Sequence, residues 1–528
     1  MGYKQGQSRE QLVLFPEALE DYISEENAVR VIDVYVESLN LLELGFSKSM
    51  PSDVGRPPYS PADLLKLGLY CYLNRVRSSR RQMSECQRNV EVMWLLKKLI
   101  PDHRTIARFR SENSKALKNV FRNFTKLCLR LDLYGKELAA IDGSKFEAVN
   151  SNDSNFNRQK LADRISRIDR QISDYMQLLE TEDAKEETVS EQSAEEIATI
   201  ISGLQERKAI YEAYDEELTA TGELQKSLTD PDSRRMKSNG RSDICYNTQI
   251  SVDSKHKLIA DFAVTNAGND VNQLSDLAKS TSEVLETYNL SVCADTGYDN
   301  ATKIAECIMA GITPHVAGTD YDICIPKEEG EVIEEIISHH NGKCVYLKDR
   351  NIVVCPMGKT LYPSSYINTE GKASFRNSKA CAGCKCRCTT SSRPKDFRFL
   401  MPKDKFSKEY NDKSLYLKQV RVKADKAVIH QRKTIVEHPF GTIKRSMDAG
   451  YVLTKGIVKV TGEFALTFLA YNLKRVINIF GTKLFIEALL NHSFFFTFNP
   501  QHNNQYNFIK TLYLHRFAIR ILGQAGSQ

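Results

Sequence analysis

No apolar run in this 528-residue chain reaches the roughly 18 residues needed to cross a bilayer, and FFFTF at 494–498 falls far short. The chain opens without a charged stretch leading into an apolar one, so neither secretion nor a membrane span is expected and the cytoplasm is the expected compartment. A bias of charge is also missing. With 73 Lys and Arg against 67 Asp and Glu, the formal net charge is only +6, so any basic partner surface must be local. Of the 13 cysteines, those from Cys71 to Cys344 are scattered and read as small buried hydrophobes in a reducing environment, whereas five crowd between Cys355 and Cys388.

What is present is an ordinary apolar fraction of 41% on a chain too long for one core, which predicts several domains or one domain with large insertions. Residues 60 to about 135 read as helices. SPADLLKLGLYCYL offers Ser60 as a cap, Pro61 in the first helical position and Asp63 in the first turn. In PDHRTIARFRSENSKALKNVFRNF, apolar residues recur at helical spacing and Arg104 and Arg108 fall one turn apart. From about 137 the period becomes that of strands. ELAAIDGSKFEAV, the two runs of CYNTQISVDSKHKLIADFAVTN, LSVCADTG and ITPHVAG are the strands, with helices at VNQLSDLAKSTSEVLETY and NATKIAECIMA. The order β, β, β, α, β, α, β specifies a mixed α/β layer.

Two segments interrupt that layer. Residues 155 to 230 carry Ile165, Ile168, Ile172, Tyr175 and Leu179, then an acidic loop, then Ile197, Ile201, Leu204, Tyr211 and Leu218, which predicts a helical hairpin. Residues 321 to 420 hold the crowded cysteines and have no legible period. Beyond them, KADKAVIHQRKTIVEHPFGTIKRSM reads as a basic helix that Pro439 kinks or restarts, and GEFALTFLAYNLKRVINIF as a buried one.

Three carboxylates stand out. Asp142 follows an apolar run and precedes Gly143; Asp295 follows LSVCA and precedes Thr296-Gly297. A carboxylate at a strand end is held rigidly yet reachable from a cleft, and a following glycine lets the backbone turn away. Singly, an Asp near a Gly is most often a turn residue. Finding both directly after strands argues for more. Glu437 lies on the basic helix between Lys433 and Lys444, where an acidic ligand can sit beside phosphate-binding cations, although a solvated face of alternating charge has the same pattern.

AIDGSKFEA, ADTGYDN, RKTIVEHPFGTIKR and GEFALTFLAYNLKR together resemble the DDE transposases of bacterial insertion sequences, most closely the insertion sequence 1182 group; GRPPYSPADLLKL, PDHRTIARFR and QKSLTDPDSRRM extend the resemblance over most of the chain. The resemblance implies a ribonuclease H-like core, with Asp142 ending the first strand, Asp295 following the fourth and Glu437 on a later helix. It implies two Mg²⁺ (or Mn²⁺) ions on those three acids, since hard oxygen ligands suit Mg²⁺ and two ions stabilise both attacking and leaving oxygens. The implied partners are double-stranded DNA, as transposon ends and target, and a second copy of the chain in a homodimer or larger complex at the nucleoid. Relatives place Tyr and Arg before the Glu; here that face offers His430, Lys433 and the adjacent Arg432, with Lys444 in the expected lysine place. Lys444, Lys433, Arg432, Arg104 and Arg108 are the expected DNA contacts. Asp230 and Asp232 of the DPD turn are weaker rivals as metal ligands.

Cys381-x-x-Cys384 has the spacing of a zinc knuckle, and four thiolates satisfy tetrahedral Zn²⁺. The resemblance favours Cys355, Cys381, Cys384 and Cys388 as the set; reduced, metal-free cysteines are the alternative. The expected division is a helical DNA-binding domain at 1–135, core strand one at 136–154, hairpin and linker at 155–239, core at 240–320, a Cys-rich insertion at 321–420, core helices at 421–485 and a tail at 486–528. Two other readings share these residues: an Mg²⁺-dependent nuclease that only hydrolyses, and an inactive DNA-binding remnant.

Overall fold

The computed structural model describes residues 18–47, 57–150, 152–183, 191–238, 240–326, 345–347, 352–355, 359–367, 372–382, 399–402 and 417–492. Six helices come first: α1 (Val29–Glu37), α2 (Pro61–Leu73), α3 (Ser79–Arg88), α4 (Val90–Leu95), α5 (His103–Glu112) and α6 (Ser114–Arg130). Ser60 caps α2 by accepting from the Ala62 N–H at 3.2 Å, and Asp102 caps α5 through the N–H groups of Arg104 and Thr105. Such caps satisfy donors that a helix start leaves orphaned.

The central sheet begins with β1 (Leu138–Glu147). A side excursion follows, in which β2 (Asn155–Asn157) leads into α7 (Arg158–Asp183), then α8 (Glu191–Thr221) and β3 (Gln225–Ser227), which pairs back antiparallel to β2. Phe156, Leu161 and Leu218 form a small core of their own at its base, backed by Tyr211 and Tyr214. The hairpin therefore packs on itself at its root.

The sheet resumes with β4 (Arg234–Ser238), β5 (Arg241–Asp253) and β6 (Ile259–Thr265), then α9 (Leu274–Val284), β7 (Ser291–Ala294), α10 (Ala301–Met309) and β8 (Thr313–Val316). The order is β5-β1-β7-β8, with β4 and β6 sharing the far edge of β5. β1, β7 and β8 are parallel, and β5 runs against β1. β4 lies outside the strands that the alternation pattern marks.

The region that has no legible period is built on strands. β9 (Asp320–Pro326) leaves the core and β15 (Leu417–Lys423) returns beside it, forming a two-stranded neck. Between them, β10 (Val345–Leu347), β11 (Ile352–Val354), β12 (Thr360–Ile367), β13 (Lys372–Arg376), the short α11 (Ser378–Cys381) and β14 (Phe399–Pro402) make a second, antiparallel sheet. The chain ends in α12 (Lys426–Gly441), α13 (Ile457–Phe480) and α14 (Thr482–His492). α12 runs through Pro439 and widens into a π-helical turn at Thr442–Ser446, where the Met447 N–H donates to the Thr442 carbonyl.

The N-terminal helices are not a separately packed lobe. One apolar core runs from Ile23 to Leu490. At its centre, Phe262 of β6 meets Phe121 of α6 edge-on at 5.1 Å and Phe468 of α13 at 4.9 Å, so α6 and α13, packed against each other, cover the same face of the sheet. The start of α13 is held by the DPD turn. Asp230 accepts from the Gly456 N–H at 3.0 Å and from the Tyr246 hydroxyl, and Asp232 accepts from the Ile457 N–H at 2.8 Å. These two aspartates cap a helix.

Candidate active site

β1 and β7 are paired only over three rungs, the last being Ala140 opposite Cys293. Asp142 and Asp295 each stand two residues beyond that rung. Because side chains alternate, both aspartates leave on the same face, where two parallel strands part at their carboxyl ends. Asp142 does not end its strand: β1 continues to Glu147, paired along its whole length with β5. Nor does Gly143 make a turn. It points to the opposite face, where a Cβ would lie 2.2 Å from Gln249 Nε2 and 2.8 Å from Asp270 Oδ1. Close approach of a neighbouring strand and loop, rather than backbone freedom, requires the glycine.

Each aspartate is anchored locally. Asp142 Oδ1 accepts from the Gly143 N–H at 2.9 Å, and Asp295 caps the single turn Thr296–Tyr298 through the Gly297 N–H at 2.8 Å. Burial pushes the Asp142 carboxyl up to about 6; Arg432 opposes this, and the negative charges of Asp295 and Asp270 add to it. The two acids are thus electrostatic neighbours. Arg432, on the second turn of α12, places Nη1 3.2 Å from Asp142 Oδ2. That nitrogen is buried and makes no hydrogen bond, so the contact is charge attraction without hydrogen-bond geometry.

Glu437 stands on the same helix but is exposed, and among the described residues no group of three or more His, Cys, Asp or Glu is placed to hold a metal ion. The structure therefore brings two of the three expected acids together and leaves Glu437 outside them. The donor set still suits a hard divalent cation. Two carboxylates face one crevice, and beyond the burial that chiefly raises the Asp142 pKa, the charges of Asp295 and Asp270 add a repulsion that a cation would relieve.

The expected DNA contacts divide. Lys433 is exposed, as are Arg104 and Arg108 on α5, where Arg108 pairs with Glu112 at 3.5 Å. Lys444 turns inward instead: its ammonium donates to the Lys145 carbonyl at 2.8 Å and lies 4.5 Å over the Phe146 ring, and burial lowers its pKa. Arg77, in the RVRSSRR stretch, and Arg110 are buried and serve the interior. Cys355 and Cys381 are buried near one corner of the second sheet, where Asn377 caps α11 and donates to the Thr360 carbonyl at 2.8 Å. Cys384 and Cys388 lie outside the described residues.

Sequence reasoning misses the support behind the aspartates. Asp270 Oδ1 accepts from Asn247 and Gln249, both at 2.6 Å, and from Lys145 at 3.2 Å, while the Tyr298 hydroxyl donates to Gln249 Oε1. The network joins β1, β5, the loop after β6 and the turn that carries Asp295. Its signal is present in the sequence: Asn247, Thr248, Gln249, Ser251 and Asp253 are polar residues in a central strand, and all are fully buried.

Two family models match the chain. One described as Transposase domain (DUF772) covers residues 17–112, and one described as Transposase DDE domain covers residues 354–477. No curated protein matches. Among solved structures, a cryo-EM piggyBac transposase synaptic complex with hairpin DNA aligns at 8% identity over 89% of this chain and 79% of that one, with a TM-score of 0.30, a likeness too slight to support any step below.

Proposed function

We propose that this chain, whose matched segments are those of a DDE transposase, binds the inverted repeats at transposon ends, hydrolyses the DNA to free a 3′-hydroxyl and joins that hydroxyl to target DNA. The observation that carries the reading is the crevice where β1 and β7 part. Asp142 and Asp295 share one face two residues past a common rung, and α12, from the matched DDE segment, lies across it with Arg432 on Asp142. A sheet ordered β6-β5-β1-β7-β8, with β5 and β6 antiparallel to their neighbours and the rest parallel, supports a ribonuclease H-like core. The second sheet and the helical hairpin are then insertions in it.

In this reading Asp142, Asp295 and Glu437 hold two Mg²⁺ ions. When bound, these would supply Lewis-acid stabilisation of the attacking and leaving oxygens. The chain's own part is to fix the carboxylates. The Gly143 and Gly297 N–H groups orient them, and the Asp270 network keeps β1 and the Asp295 turn in register. Glu437, about 140° round α12 from Arg432, completes the set when that helix turns to bring it inward. Lys433 and the exposed Arg104 and Arg108 contact phosphates, giving salt-dependent affinity. Two or more copies hold the paired ends, and Cys355, Cys381, Cys384 and Cys388 hold a structural Zn²⁺.

The test is purified Asp142→Asn and Asp295→Asn protein on duplexes carrying the element's end. Both variants should bind the duplex yet neither cut it nor join pre-cleaved ends. Wild-type cleavage without joining of pre-cleaved ends would select hydrolysis alone, and cleavage by Asp142→Asn would end the assignment.

A further inference from the structure

We propose that Arg432 and a divalent cation compete for the Asp142 carboxylate, so that Arg432 must release Asp142 before the site can load. The inference rests on the catalytic reading above and goes beyond it. Arg432 reaches into the crevice from α12, which packs against both β1 and β7, with Nη1 3.2 Å from Asp142 Oδ2. It therefore stands against Asp142 Oδ2, an oxygen that a cation on this carboxylate would also use.

The contact is made to be exchanged. Nη1 is buried without a hydrogen bond even though a carboxylate is beside it, so Arg432 forms no bidentate fork and gives up little geometry on leaving. The other nearby cations are engaged elsewhere: Lys145 with Asp270, and Lys444 with the Lys145 carbonyl. The Arg432 side chain is 15% exposed, so it has a way out of the crevice toward solvent and a DNA phosphate. A DNA phosphate drawing Arg432 away would then favour cation binding, and a bound cation would favour DNA, because coupling between two ligands is reciprocal.

Mn²⁺ affinity of full-length wild type, Arg432→Gln, Arg432→Lys and Asp142→Asn, measured by electron paramagnetic resonance, tests this with and without a pre-cleaved end duplex that offers no bond to cut. Without DNA, Arg432→Gln should bind Mn²⁺ about tenfold more tightly than wild type, within the usual range of such couplings. Arg432→Lys should stay near wild type. The duplex should tighten Mn²⁺ binding by wild type and do so far less for Arg432→Gln. Equal or weaker binding by Arg432→Gln, with Asp142→Asn still abolishing it, overturns the competition and leaves the catalytic reading standing. Mn²⁺ binding that is unchanged in Asp142→Asn overturns both.

Discussion

Two arginine–carboxylate pairs flank β1 and are built in opposite ways. Beyond its end, Arg77 and Glu463 meet at 2.6 Å with side chains 3% and 1% exposed, and Glu463 also accepts from the Leu453 and Thr454 N–H groups and the Thr454 hydroxyl. Arg77 adds a bond to the Asp448 carbonyl and lies 4.8 Å over the Tyr451 ring, and the residue-451 backbone bridges to Glu147 of β1. At Asp142, by contrast, the arginine nitrogen has no hydrogen bond and the carboxylate is 21% exposed. A buried ion pair closed by several backbone and side-chain partners is fastened to the fold even though Arg77 Nε lacks a partner, whereas a single contact at a cleft, with no hydrogen bond across it, is available for exchange.

The largest effect should come from breaking the buried pair. Glu463→Ala leaves Arg77 buried and unpaired, which should cost about 3–5 kcal/mol, read from the urea midpoint. Next comes Gly143→Ala, which drives a Cβ into Gln249 and Asp270; overpacking of this kind costs about 1–3 kcal/mol and should also depress cleavage by disturbing Asp142. If Gly143→Ala were neutral, the Gln249 and Asp270 side chains would have given way and close approach would not be what requires the glycine.

Asp142 itself should be a liability to stability. Its native carboxyl titrates at about 6, above the roughly 3.9 of an unfolded Asp, so the native state binds the extra proton between those values and stability falls as pH rises through that window. Wild type should lose up to about 3 kcal/mol from this group between pH 4 and 6, less whatever solvent screens, and Asp142→Asn should lack that fall. The same titration of Glu463→Gln should keep it. The smallest effect belongs to the surface. Arg108→Ala should leave stability unchanged, because exposed ion pairs contribute little, yet lower the salt slope of DNA binding by roughly one.

The strands of the central sheet were legible because alternation has a period that a single chain displays, and the aspartates were legible because each follows such a run. Gly143 was misread for a physical reason. Beside an Asp it has the local signature of a turn, and only Gln249 and Asp270, more than a hundred residues away, reveal that it clears space. Arg77 and Arg110 show the same limit: a cluster of arginines looks like surface until Glu463 and Tyr72 are placed against it. The insertion between β9 and β15 was opaque because its strands are short and their pairing is set by neighbours rather than by alternation. Glu437 is the instructive middle case, since its helix is placed over the crevice by the burial of Ile435, Val436 and Phe440 while its own side chain remains outside.

The most direct measurement is local protein cleavage by Fe²⁺ with peroxide and ascorbate, using Fe²⁺ as a stand-in for Mg²⁺ on the full chain bound to end DNA. The account predicts backbone breaks beside Asp142, Asp295 and Glu437, all suppressed by excess Mg²⁺ and by Asp142→Asn. Breaks at the two aspartates without one at Glu437 would remove the third ligand, and breaks at none of the three would contradict the site.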